Sequence, residues 1–158
     1  MANREQFCTF YLEKHYFGIE LLQVQEVLRE LELTQVPLAP HAVRGLMNLR
    51  GQIVIAVDLR RRLGLPERAK GAAAMNVIVR AGEDAVSLLV DEIGDVVEAG
   101  EESFEPPPET LRGAVRSAIR GVHKLEKQLM CVLDTDWACA IEDLAAPEES
   151  ANLRGEGR

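Results

Sequence analysis

Apolar residues in this chain fall in short blocks separated by polar or glycine-marked turns, and no stretch sustains the helical period of a long amphipathic helix. Residues 7–12 and 16–19 flank a polar turn at Glu13-Lys14-His15, and residues 76–80 and 85–90 flank Ala81-Gly82-Glu83-Asp84. Residues 45–49 and 52–57 flank Arg50-Gly51, a tight hairpin signal, and residues 121–125 and 129–133 form a last pair. Ile53-Val54-Ile55-Ala56-Val57 is apolar throughout instead of alternating, which predicts a strand covered on both faces. Asp58 is placed to cap a short helix over 59–63 that Gly64 ends, and Asp134 to begin another running through Trp137 and Ile141. Short strands joined by hairpin turns predict a mainly β fold, a small barrel or sandwich.

The pattern occurs twice. Residues 43–58 align with 119–134 at an offset of 76, with identities at Arg44/Arg120, Gly45/Gly121, Leu49/Leu125, Gln52/Gln128 and Asp58/Asp134. Upstream, Ile19, Leu21, Val24, Glu26 and Val27 align with Leu88, Val90, Ile93, Asp95 and Val96 at an offset of 69. A proline-marked loop separates the two matches in each copy, with Pro37 and Pro40 in one and Pro106-Pro107-Pro108 in the other, and the difference in loop length accounts for the change of offset. Two copies predict two packed β units, 1–70 and 71–146, followed by a polar tail over 147–158 that reads as disordered.

Composition narrows the function. The 158 residues carry a net charge of −8 and only 4% aromatic side chains, so neither a basic footprint nor a stacking surface for nucleic acid is present. No apolar run has the length of a membrane helix and no secretory signal opens the chain, which predicts a cytoplasmic protein with no membrane insertion. The charge is unevenly placed: residues 1–70 sum to +2 and residues 71–158 to −10. Residues 44–70 hold seven basic and two acidic side chains, whereas 91–109 hold eight acidic ones and no basic one. Cys8, Cys131 and Cys139 are scattered, the three histidines are isolated, and no nucleophile, phosphate-loop or zinc motif is visible. The chain reads as a non-enzyme without cofactor or metal.

The duplication works as an internal control. Residues kept in both copies, such as Gly45/Gly121 and Asp58/Asp134, are explained by backbone conformation and helix capping. Arg50-Gly51, in contrast, is answered by Glu126-Lys127, so the fold does not demand Arg50. A hairpin-tip arginine either stands solvated or offers a bidentate fork to a carboxylate on another protein. Glu26 reads as an exposed acid beside an apolar strand, Val24 and Val27 as core, and Arg60-Arg61-Arg62 as the wet side of their helix.

Gly45-Leu46-Met47-Asn48-Leu49-Arg50-Gly51-Gln52-Ile53-Val54, followed by Val57-Asp58-Leu59-Arg60 and Leu63-Gly64-Leu65, resembles the CheW family, the coupling proteins of bacterial chemosensory arrays. Phe17-Gly18-Ile19, Val24-Gln25-Glu26-Val27 and Leu89-Val90-Asp91-Glu92-Ile93 extend the resemblance, which runs from about residue 7 to 144. It implies two SH3-like five-stranded β-barrels around a shared core, with short helices. It also implies a non-catalytic adaptor whose partners are the cytoplasmic tip of a methyl-accepting chemoreceptor and the CheW-like regulatory domain of a CheA-type histidine kinase. Carried over position by position, Arg50, Glu26, Val24 and Gly45 fall on coupling positions, and Val77 and Ile78 on a strand facing a partner. Ile55 stands where relatives often have proline, and near Ala56 they often have an aliphatic residue. A CheW-like domain from a kinase or a receiver fusion, an enzyme using an apolar groove between the barrels, and a small-ligand sensor stay open as alternatives.

Overall fold

The computed structural model of the chain describes residues 4–140, so Ile141 and the expected tail lie outside the described residues. Its first half contains β1 (Arg4–Leu12), β2 (His15–Glu20), β3 (Val24–Arg29), β4 (Val43–Leu49), β5 (Gln52–Asp58) and α1 (Leu59–Leu63). Its second half contains β6 (Met75–Ala81), β7 (Asp84–Val90), β8 (Glu92–Gly100), β9 (Phe104–Glu105), α2 (Ala114–Ala118), β10 (Ile119–Lys124), β11 (Leu129–Leu133) and α3 (Thr135–Cys139). The expected hairpins form where the alternating blocks place them. Asp58 accepts from the Arg60 amide and Gly64 closes α1 in the left-handed region (φ 76°), while Asp134 accepts from the Trp137 amide to start α3.

Strands from the two copies are exchanged. One sheet has the order β8-β1-β2-β11-β10-β9 and the other β3-β6-β7-β5-β4. Each sheet therefore takes one hairpin from one repeat, β1–β2 or β6–β7, and three or more strands from the other. The registers repeat at the two offsets: Val24 opposite Val79 matches Ile93 opposite Phe10, and Gly45 opposite Ala56 matches Gly121 opposite Val132. The parallel joins repeat as well, Ile55 with Val86 and Cys131 with Phe17. The expected units 1–70 and 71–146 thus do not coincide with the sheets. After β2 the chain passes through one short 3-10 turn (Leu21–Gln23) straight into the other sheet, and a cut near residue 70 would divide both sheets.

Three clusters form the core. Phe10, Leu12, Phe17 and Ile19 from one sheet meet Val57, Val77, Val79 and Leu88 from the other in a shared layer closed by Leu59 and Leu63 of α1 and Ala138 of α3. Met47, Val54, Ile78 and Leu89 fill the interior of the second sheet, and Phe7, Tyr16, Met130 and Val132 that of the first. Strands β5, β6 and β7 supply side chains alternately to an interior and to the shared layer, which is why their sequences are mostly apolar and do not alternate with polar residues. Each fully buried large side chain contributes on the order of 1.5–3 kcal/mol. Ile53 departs from the expectation: at the tip end of β5 it is 62% exposed, and the double coverage begins at Val54.

Gly45 and Gly121 occupy one structural position. Each sits at a register shift in its hairpin, where a third segment crosses close by. A Cβ on Gly45 would lie 2.6 Å from the Thr34 carbonyl oxygen, and one on Gly121 2.3 Å from Phe104 Cζ. No helix among the described residues is long and apolar enough to cross a membrane.

Candidate functional site

The turn between β4 and β5 places Arg50 (φ 53°) and Gly51 (φ 88°) at its centre, both in the left-handed region that a tight type I′ hairpin requires. Asn48 fixes the turn by accepting the Gly51 amide on Oδ1 at 2.8 Å. Arg50 is thereby held out at the tip, its side chain 65% exposed, and its Nη2 donates to Oε2 of Glu26. Glu26 lies on β3 just past a register shift against β6, which aims its carboxylate towards the tip. Strands β3 and β4 are the two ends of the strand order, so the pair bridges the open side of the sheet, beside the Thr34–Leu46 backbone bridge. Exposed as it is, such a pair is worth at most about 1 kcal/mol. What it offers is a fixed guanidinium fork, not stability.

The other expected site residues divide. Val24 is half-buried beside the pair and packs on the shared core. Gly45 is buried and makes the close approach to Thr34, a structural role. Val77 and Ile78 do not face a partner: β6 lies between β3 and β7, Val77 enters the shared core and Ile78 the interior of the second sheet, both at 0% exposure. Sequence reasoning misses Leu22, an 88% exposed leucine in the turn just before β3. The signal lies in the repeat, because its counterpart at offset 69 is Asp91.

Asp91 leads to a larger correction. The three arginines of α1 are not its wet side. Arg60, 12% exposed, donates from Nε and Nη2 to Asp91 at 2.5–3.2 Å. Arg61 reaches Glu67 and the His41 carbonyl. Arg62 lies 3.7 Å over the Trp137 ring and donates to the Trp137 carbonyl at 2.6 Å, tying α1 to α3. Arg68 joins Asp91 at 2.9 Å, and buried Asp58 receives Arg44 at 3.2 Å. Burial by itself would raise the Asp91 carboxyl, but hydrogen bonds from Arg60, the Glu13 amide and Arg68 outweigh it and hold the group below its ordinary value. Much of the basic 44–70 stretch is neutralised inside the molecule, partly by the first residue of the acidic stretch.

Reactive chemistry is sparse. All three cysteines are free, and burial pushes their thiols up, Cys139 to about 12 with Asp136 adding to the effect. An apolar cleft of about 400 Å³ runs between Phe17, Val122 and Cys131 on one side and Leu63, Leu65 and Leu111 on the other. Its wall offers His15 and a raised thiol as titratable groups, not a convergent catalytic set.

Residues 6–138, most of the chain, match the family model described as CheW-like domain. The chain belongs to the CheW family. Among curated CheW proteins, the chemotaxis protein CheW of Treponema pallidum is 29% identical over 158 residues, an alignment covering 96% of this chain and 91% of that protein. The chemotaxis protein CheW of Bacillus subtilis is 28% identical over 132 residues, covering 84% and 85%. In three dimensions, the crystal structure of the scaffolding protein TtCheW from Thermoanaerobacter tengcongensis aligns with a TM-score of 0.76 at 27% identity, over 84% of this chain and 90% of that one. The mainly β, two-sheet architecture is that of the CheW scaffold, two SH3-like β units.

Proposed function

We propose that this chain is a non-catalytic adaptor that couples the cytoplasmic tips of chemoreceptors to a CheA-type histidine kinase, and that the Glu26–Arg50 pair lies in its coupling surface. The observation that carries the site is the exposed guanidinium fork, locked between the two ends of a sheet on a hairpin whose counterpart in the other repeat ends in Glu126-Lys127. Val24 and Leu22 supply apolar contact beside it, while Gly45, Val77 and Ile78 act through packing. An adaptor of this kind works by binding two kinase states unequally, so that a shift at the receptor face moves their balance. Two sheets locked through one shared core provide the stiffness for that transmission. Its place of work is the cytoplasm, at receptor arrays.

The test is reconstitution of the chain with a receptor signalling fragment and a CheA-type kinase, reading kinase autophosphorylation. Arg50→Glu is expected to reduce receptor-dependent activity at least tenfold while thermal stability falls by no more than about 2–4 °C, the shift an exposed pair warrants. Combining it with Glu26→Arg is expected to restore part of the activity. Wild-type coupling by Arg50→Glu would remove the site, and unfolding would show that the barrel needs Arg50 after all.

A further inference from the structure

The internal duplication also produces two equivalent clefts of opposite character. One, of about 440 Å³, is walled by Glu30, Arg44, Arg61, Glu67, Arg68 and Lys70. Its counterpart on the other sheet, about 390 Å³, is walled by Glu5, Glu20, Glu101, Arg120 and His123. The two superpose through the repeat: Arg44 and Arg120 are related by the offset of 76, and Ala74 and Leu89 of the first cleft become Glu5 and Glu20 at the offset of 69. One frame thus carries a wall of four cations and two carboxylates, the other a wall of three carboxylates, an arginine and a histidine. The fold does not require a basic wall.

Arg68 supplies the second observation. Its side chain is 7% exposed, its Nε meets Asp91 at 2.9 Å and its Nη1 approaches Asp58 at 3.6 Å. Nη2 is sealed from solvent and has no hydrogen-bond partner. A buried guanidinium nitrogen without an acceptor is costly and rare in folded proteins, and an oxyanion would supply the acceptor that Nη2 lacks. Among the described residues Lys70 has no ion-pair partner, and Arg44 is 41% exposed with one nitrogen on Asp58.

We propose that this cleft binds a compact oxyanion, the phosphate or carboxylate group of a small molecule, with Arg68 Nη2 as the buried donor and Lys70 and Arg44 as the exposed cations that admit and hold it. Because Nη2 is closed to solvent, entry requires the cleft wall to shift. Glu67, which holds Arg61 at 3.1 Å, competes with the incoming anion and limits the site to groups that out-compete one carboxylate.

The experiment titrates the full chain with inorganic phosphate, and separately with acetate, against chloride at constant ionic strength, following backbone amide shifts and binding heat. Saturable one-site binding is expected, weakened roughly tenfold by Lys70→Glu or Arg44→Gln, as loss of one charge-assisted contact implies. Arg68→Lys, which keeps the charge but removes Nη2 together with the fork that meets Asp91 and Asp58, is expected to abolish saturation with the circular dichroism unchanged. Should Arg68→Lys fail to fold, the two surface variants decide. Saturation by phosphate alone assigns a phosphate head, and saturation by both assigns a carboxylate-tolerant site. Absence of saturation at tens of millimolar, or an affinity untouched by Lys70→Glu, overturns the proposal. No kinase or receptor enters the measurement, and Arg50→Glu is expected to bind phosphate like the wild type, so the adaptor reading stands or falls separately.

Discussion

Replacing Asp91 with alanine tests whether the arginine cluster is an internal structural element. Asp91 is 15% exposed and is held by Arg60, Arg68 and the Glu13 amide, the last at 2.6 Å. Its removal leaves two guanidinium groups, 12% and 7% exposed, without their main counter-charge. Breaking a buried pair from one side costs about 3–5 kcal/mol, because the orphaned charge stays desolvated. With a urea m-value near 2 kcal/mol/M, the unfolding midpoint should fall by roughly 1.5–2.5 M. The control is Glu67→Ala, which breaks a pair whose acid is 57% exposed and should move the midpoint by less than about 0.5 M. Asp91→Asn keeps an acceptor oxygen and loses the charge, so it should fall between the two. A midpoint for Asp91→Ala no lower than the control's would refute the internal reading and return these arginines to solvent.

The same residue sets a pH dependence. The folded carboxyl is held below its ordinary value, so the folded protein binds that proton less readily than the unfolded chain. Its stabilisation is complete above the ordinary carboxylate range, near pH ~4, and is lost as the pH falls through the lower folded value. The acid limb of stability against pH should therefore be shallower in Asp91→Asn than in the wild type.

Other consequences can be checked alongside. Gly121→Ala and Gly45→Ala should each destabilise by about 1–3 kcal/mol in chemical denaturation, since the added methyl meets Phe104, the Glu105 carbonyl or the Thr34 carbonyl below 3 Å. Gly82→Ala, at φ 66° with open space around it, should cost only about 1 kcal/mol. Leu38 is fully exposed at φ 62°, so Leu38→Asn should leave the fold intact and raise stability by up to about 1 kcal/mol, read as a higher melting temperature. His123, buried between Phe7 and Phe104, is held below its ordinary value by burial, with Glu102 opposing. Its stabilising share is complete above about pH 6.5 and lost below it, so melting temperatures at pH 7.5 and 5.5 should differ less in His123→Phe than in the wild type.

What the sequence makes legible is local. Hairpins β1–β2, β4–β5, β6–β7 and β10–β11 announce themselves because alternation and turn residues act over a few positions. Strands β3 and β8 carry no such signal: they are edge or near-edge strands, partly exposed, and each meets its neighbour through a register shift that breaks the alternation. Arg50 and Glu26 are readable one at a time, but their pairing across the sheet opening is not. The arginines of α1 mislead for the same reason, since the carboxylate that buries Arg60 lies 31 residues away on a segment that reads as solvated.

The exchange of hairpins is the clearest case of long-range information that a repeat cannot carry. Offsets of 69 and 76 describe each strand's local pairing equally well whether a hairpin stays in its own unit or crosses to the other. What decides is the connection. Three residues separate β2 from β3 and one separates β7 from β8, and through each of these short connections the chain passes on into the other sheet. The exchange then has a mechanical consequence. Each sheet contains strands from both repeats and both press on one shared core, so neither can turn relative to the other without disturbing that core. For an adaptor whose output is the relative placement of two partners, that rigidity carries a displacement of one sheet through the shared core to the other.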